Sequence, residues 1–218
     1  MQIEVWADVV CPWCGLGSHR LHRALAEFEH RDEVEIVHRA FQLDPGAPEG
    51  RSRSTMEALV EKGYPAEQIA PMTERIEQLA QAEGLSPYNV ASARTGSTAL
   101  VQELLAFATD VGLGEEGWAA AYARHWGRNE DVFTLDGVLE LAEEIGLDVD
   151  EAEAVLTDRR YRDRVRIEQD ESRQLGATGV PFVVIDRAYG IAGAQPAEQI
   201  LDVLQAAWSE THHGKAER

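Results

Sequence analysis

Apolar positions change their period along the chain, and the changes divide it into three parts. At the N-terminus Ile3, Val5 and Ala7 alternate with Gln2, Glu4, Trp6 and Asp8, the period of two that a strand with one inward face requires. After Cys11-Pro12-Trp13-Cys14 the spacing becomes helical, with Leu21, Ala24, Leu25 and Phe28 on one stripe. Pro12 suits the first helical position, where a missing N–H costs nothing. Val34 to Phe41 reads as a second strand. The opening unit is therefore strand, CxxC turn, helix, strand.

A turn-rich stretch from Leu43 to Gly50 marks a boundary. Beyond it, from Thr55 to Gly176, the signals are helical. Ile69, Met72, Ile76 and Leu79 form one stripe, and Val101, Leu104, Leu105, Ala108 and Val111 form another. Leu135, Val138, Leu139, Ala142 and Ile145 follow Thr134, an N-cap type, and precede Gly146, a C-terminal stop. Asp150-x-x-Glu153 resembles a capping box with Asp in the Ser/Thr place.

Strand character returns at Pro181-Phe182-Val183-Val184-Ile185, an unbroken apolar run that suits a buried central strand. Tyr189 to Ala192 pairs with it as a hairpin. Pro196 then opens a helix with Ile200, Val203, Leu204, Ala207 and Trp208 on one face. Helices alone cannot complete the sheet begun by the first two strands, but the last two strands can. The economical architecture is one α/β domain built from residues 1–44 and 177–211, with an all-helical insertion over 45–176. Residues 212–218 form a polar tail that is expected to fray.

The 218 residues carry 44% hydrophobic and 27% charged side chains, ordinary for a globular chain. The formal net charge is −19, which argues against nucleic acid and anionic membrane surfaces as partners, since both need clustered cations. No apolar stretch approaches the ~20 residues of a membrane span. The first residues lack the basic and apolar regions of a signal peptide. A cytoplasmic location is expected.

Only two cysteines occur, at positions 11 and 14. A scaffold stapled by disulfides needs more of them, spread more widely. A CxxC turn opening a helix puts Cys11 at the cap, where unpaired N–H groups and the helix dipole favour a thiolate. Cys14, one turn on, is close enough to displace a mixed disulfide. Cys11 is thus read as the attacking thiol and Cys14 as the resolving thiol.

Zinc is the competing use of a CxxC, and His19 and His22 follow the motif. However, His22 lies about 12 Å beyond Cys14 along a helix rising ~1.5 Å per residue. Zinc requires its donors within roughly 2.0–2.3 Å. The two histidines read as surface polar residues, and no metal is expected. Glu143-Glu144 reads as a solvated pair on an exposed helix.

With Thr178-Gly179-Val180-Pro181 immediately before the apolar strand, the chain resembles the thioredoxin superfamily. In that superfamily the corresponding proline is cis and faces the CxxC. The resemblance implies a thioredoxin-like fold with a large helical insertion. It implies a site role for Pro181, and a Val180 backbone turned toward Cys11 to receive substrate.

Four segments narrow the match: Asp8-Val9-Val10-Cys11-Pro12-Trp13-Cys14, Phe41-Gln42-Leu43-Asp44-Pro45, Gly179-Val180-Pro181-Phe182 and Gly193-Ala194-Gln195-Pro196. They are similar to the FrnE-like branch of the DsbA family, which includes cytoplasmic members associated with polyketide pathways. The resemblance implies substrate contacts from Pro12, Trp13, Val180, Gln42 and Gln195. The family usually carries an Asn-Thr and an Ala-His pair on one helix. The nearest match here is Ser97-Thr98 and Val101-Gln102, so no role for that His carries over.

The same branch is similar to kappa-class glutathione transferases and 2-hydroxychromene-2-carboxylate isomerases, which typically keep Ser at the first motif position. Retention of Cys11 and Cys14 favours dithiol exchange on a disulfide-containing protein or small molecule, with glutathione as a candidate redox partner and no tightly bound cofactor. A glutathione-dependent isomerase or transferase is the alternative. A third reading is a binding module whose CxxC is a relic. Trp118, Tyr122 and Trp126 are candidates for a groove beside Trp13, or for core.

Overall fold

Four strands from the two ends of the chain meet in one sheet. In this computed structural model, which describes residues 1–213, the order of elements is β1 (Gln2–Ala7), α1 (Pro12–Glu27), β2 (Glu35–Ala40), β3 (Ser52–Ser54), α2 (Thr55–Glu61), α3 (Ala66–Ala82) and β4 (Arg94–Gly96). There follow α4 (Ala99–Asp110), α5 (Gly114–Tyr122), α6 (Leu135–Glu144), α7 (Val149–Thr157), α8 (Arg162–Gln174), β5 (Phe182–Ile185), β6 (Tyr189–Ala192) and α9 (Ala197–His213). The main sheet runs β2-β1-β5-β6. β1 and β2 are parallel and joined through α1, whereas β5 is antiparallel to both β1 and β6. This is a thioredoxin fold interrupted by a helical insertion.

One face of the sheet follows the sequence pattern. Ile3, Val5, Val183 and Ile185 pack on Leu21 and Leu25 of α1, on Phe28 just beyond it, and on Ile200, Leu204 and Ala207 of α9. Burial of this apolar surface is what holds α1 and α9 to the sheet. α9 continues to His213, two residues into the span expected to fray. Positions 214–218 lie outside the described residues.

The other face departs from the pattern. The alternation in β1 put Glu4 and Trp6 away from the core side, yet both are almost fully buried. α8 covers them with polar side chains. Trp6 donates its indole N–H to the Glu168 carbonyl at 2.8 Å. Glu4 is held by Arg39 at 2.9 Å and by Arg187. Glu168 accepts from Arg39 at 3.1 Å, Arg164 at 2.9 Å and the Ala40 N–H at 2.7 Å. Buried carboxylates survive when counter-charges and donors surround them. A polar residue in an alternating strand therefore does not always face water.

The insertion is helical apart from a short antiparallel ribbon, β3 with β4, pairing Ser52 with Gly96. Three-residue strands are too short to show a period. Thr134 caps α6 as expected, accepting from the Gly137 N–H at 3.3 Å, and Gly146 follows with φ +81°. The cap of α7 is Asp148, which accepts from the Glu151 N–H at 2.9 Å. It lies two residues before the Asp150 box. Val111 is exposed, unlike the rest of its stripe.

Removing Glu168 leaves the buried Ala40 N–H without its acceptor and takes one of two carboxylates from each of Arg39 and Arg164, which keep Glu4 and Asp110. Glu168→Ala should lower stability by about 3 kcal/mol, read from the urea midpoint. An unchanged midpoint would show that this face of the sheet does not depend on the charge cluster.

Candidate active site

Cys11 is the N-cap of α1, in extended backbone, with Pro12 opening the helix. The turn closes tightly: Cys11 N–H donates to the Asp8 carbonyl at 3.1 Å, and Cys14 N–H to the Cys11 carbonyl at 2.9 Å. Both cysteines are free thiols. Cys11 is 4% exposed and Cys14 1%, and the Cys11 sulfur is reached through a cavity. Burial, with the Cys11 thiol beside it, holds the Cys14 pKa well above its ordinary value.

The Cys11 thiol donates to the Val180 carbonyl at 3.6 Å. Val180-Pro181 is a cis peptide, and the buried Pro181 packs on α1 at Gly17. A Cβ on Gly17 would lie 2.9 Å from Pro181 Cγ, so the helix approaches this segment only because Gly stands there. The Pro181 carbonyl accepts from the Gly193 N–H at 2.9 Å, linking the segment to the end of β6.

Polar groups brace the motif from behind. The hydroxyl of Tyr88 donates to the Pro12 carbonyl at 2.5 Å, and a Cβ on Gly15 would run into that hydroxyl. Asp8 is wholly buried. Its carboxylate accepts from the Leu43 N–H at 2.7 Å and from Gln102 Nε2 at 3.4 Å. Burial raises its pKa from 3.8 to about 6, against the lowering effect of these hydrogen bonds and one from Thr98. Gln102 Nε2 also donates to the Ala7 carbonyl at 3.1 Å and the Phe41 carbonyl at 2.9 Å. Gln102 thus ties the ends of β1 and β2 to α4. Sequence reasoning gave neither Asp8 nor Gln102 a role. The signal was Asp8 itself, an acid directly ahead of the motif.

A cavity of about 750 Å³ opens at the motif. Cys11, Pro12, Trp13 and Val180 form its floor, while Ala58, Leu59, Met72 and Ile76 roof it from α2 and α3. Trp126 reaches the wall. Trp118 and Tyr122 do not line it; they are buried and pack on each other.

Other candidates fall elsewhere. Gln42 lies away from the cavity wall, its backbone exchanging hydrogen bonds with the Gln169 side chain at 3.4 and 3.1 Å. Gln195 spends its side-chain amide on the Ala192 carbonyl at 2.8 Å. His19 meets the Glu83 carbonyl at 3.0 Å, and His22 meets Glu115 at 3.0 Å. Glu144, read as solvated, is bound by Arg124 at 3.0 Å and Arg128 at 2.7 Å.

Comparison with known proteins identifies this arrangement. The profile of the DSBA-like thioredoxin domain matches residues 2–205, and the chain belongs to that family. A crystal structure of a probable DsbA oxidoreductase from Streptomyces coelicolor superposes with a TM-score of 0.91 at 42% identity, covering 96% of this chain and 91% of that one. The cytosolic disulfide reductase DsbM from Pseudomonas aeruginosa has a TM-score of 0.66 at 19% identity, covering 94% and 98%. It has also been solved with glutathione. A 2-hydroxychromene-2-carboxylate isomerase shares the fold, with a TM-score of 0.71 at 13% identity over 100% and 98% of the two chains. The Bacillus subtilis (strain 168) protein YwbO is 25% identical over 210 residues, 92% of this chain and 96% of its own.

Cys11 lines the cavity, whereas Cys14 lies a turn behind it with its pKa raised by burial. Near neutral pH iodoacetamide should modify Cys11 first, as read by peptide mass mapping; preference for Cys14 would reverse the assignment. Asp8 gives a pH signature. Its folded pKa exceeds the unfolded value, so its contribution is complete below pH 3.8 and is lost as pH rises through about 6. Asp8→Asn has no such loss. Its stability relative to wild type should improve by about 2–3 kcal/mol between pH 4 and pH 8, measured by urea unfolding. A pH-independent difference would mean that Asp8 is not held as a buried acid.

Proposed function

We propose that this chain catalyses dithiol–disulfide exchange, with Cys11 attacking and Cys14 resolving. The observation that carries the reading is the inequality of the thiols. Cys11 caps α1 and lines the cavity beside the Val180 carbonyl. Cys14 sits a turn behind it, held protonated by burial and by its neighbour.

The Cys11 thiolate attacks one sulfur of a bound disulfide. The S–S bond breaks, one substrate thiolate leaves, and Cys11 carries the other half as a mixed disulfide. Cys11 then no longer opposes ionisation of Cys14 electrostatically. Cys14 gives up its proton to the released substrate thiolate and attacks the Cys11 sulfur, and the second substrate thiolate departs, taking its proton from solvent. Two electrons pass from the protein dithiol to the substrate, and the reverse sequence oxidises a substrate dithiol. Pro12, Trp13 and Val180 contact the substrate at the cavity floor, and Pro181 holds the Val180 backbone against Cys11.

The substrate is a disulfide-bearing protein or small molecule, and glutathione serves as a soluble redox partner in the cytoplasm. No described helix is long and apolar enough to cross a membrane. A glutathione-dependent isomerase or transferase is the alternative reading. Such a reaction has no use for a resolving thiol, and Cys14 therefore favours exchange.

Cys14→Ser should accumulate covalent substrate adducts on Cys11, detected as higher-mass species that dithiothreitol releases. Cys11→Ser should accumulate none. Adducts from neither variant, with disulfide substrate present, would contradict the mechanism.

A further inference from the structure

The cavity is larger than a thiol–disulfide step itself requires. At about 750 Å³ it falls within the range of small-molecule sites, roughly 300–1,000 Å³. Its walls are apolar, with Leu59, Met72, Ile76, Val90 and Trp126 among them. Trp13, Leu43 and Tyr64 line it too, 38%, 45% and 48% exposed. Three large apolar side chains left in water around one opening mark a site that covers them with ligand.

The charge on the wall opposes that of the chain. Against a net charge of −19, the lining residues include Arg51, Arg53 and Lys62 but a single carboxylate, Asp44. Arg53 is neutralised by Glu61, and Lys62 lies 3.4 Å from Asp44. Arg51 has no such neighbour. It is exposed, and among the described residues it makes no side-chain hydrogen bond or ion pair. A low-dielectric cavity focuses the field of such a charge on whatever enters.

We infer that the cavity takes a low-molecular-weight disulfide with an apolar body and a carboxylate, the carboxylate held by Arg51 and Lys62 and the reacting sulfur presented to Cys11. This rests on the thiol-exchange reading and names its substrate. Exchange reduces the substrate to two thiols and leaves the Cys11–Cys14 disulfide. Two equivalents of a thiol reductant such as glutathione then regenerate the dithiol, becoming glutathione disulfide.

The test compares 4,4′-dithiobis(benzoic acid) with its diamide, identical in body and different only in charge. Glutathione disulfide and insulin serve as further substrates, and every rate is normalised to reaction with a free thiol. The dicarboxylate should exceed the diamide in kcat/KM by roughly tenfold, and should also exceed glutathione disulfide. In R51A/K62A the ratio of dicarboxylate to diamide should collapse toward one. A ratio near one in the wild type, or one that survives in the double variant, overturns the inference. Glutathione disulfide reduced as well as the dicarboxylate overturns its apolar part. Insulin reduced without any preference among small disulfides sinks the substrate class alone. No turnover of any disulfide sinks the exchange reading with it.

Discussion

The site depends on the register between β1 and β5. Ile3 lies opposite Ile185 and Trp6 opposite Phe182, which brings the residues just before β5 alongside the residues just after β1. Those are Val180 and Pro181 on one side and the Cys11 turn on the other, 169 positions apart. A slip of one residue would turn the inward side chains of β5 to the opposite face. It would also carry the Val180 carbonyl away from the Cys11 sulfur. The apolar layer of α1 and α9 on one face and the α8 charge cluster on the other both resist that slip.

Around this meeting point burial decides the chemistry. At Asp8 desolvation outweighs four hydrogen bonds, and the acid titrates near 6. At Cys14 the same effect outweighs the lowering influence of the Asp8 backbone. The insertion makes both possible, because α3, α4 and Trp126 share one apolar core with Cys11 and Cys14. Its helices therefore do more than shade the site. They supply the low-dielectric surroundings that raise the Cys14 pKa, and Gln102 and Tyr88 hold the turn in place.

Much of this was legible in the chain. The period of two before the motif, the helical stripes after it and the apolar run at residues 181–185 located the sheet strands and most helices. The two thiols and Val180-Pro181 were read as neighbours, and the Cys11 sulfur lies against the Val180 carbonyl. Glu4 and Trp6 were misplaced because a period cannot tell water from a charged helix. Asp8 was passed over for the same reason, standing on the polar side of the alternation. Gln42 and Gln195 are bound within their own neighbourhoods, and a motif match does not reveal where a side chain finds its partner. The cavity was not legible at all: its roof comes from α2 and α3, and nothing local to either stripe says what the other face encloses.

Dithiol exchange requires Cys11 and Cys14 to form one reversible two-electron couple. Equilibration of the protein in glutathione buffers of graded ratio, followed by acid quench and intact-mass measurement, tests it directly. The expected result is a single sigmoidal transition between the dithiol and a species lighter by two hydrogens, fitted by a two-electron Nernst curve. An end state carrying glutathione stably on Cys11, or no reversible loss of two hydrogens at any ratio, would contradict it.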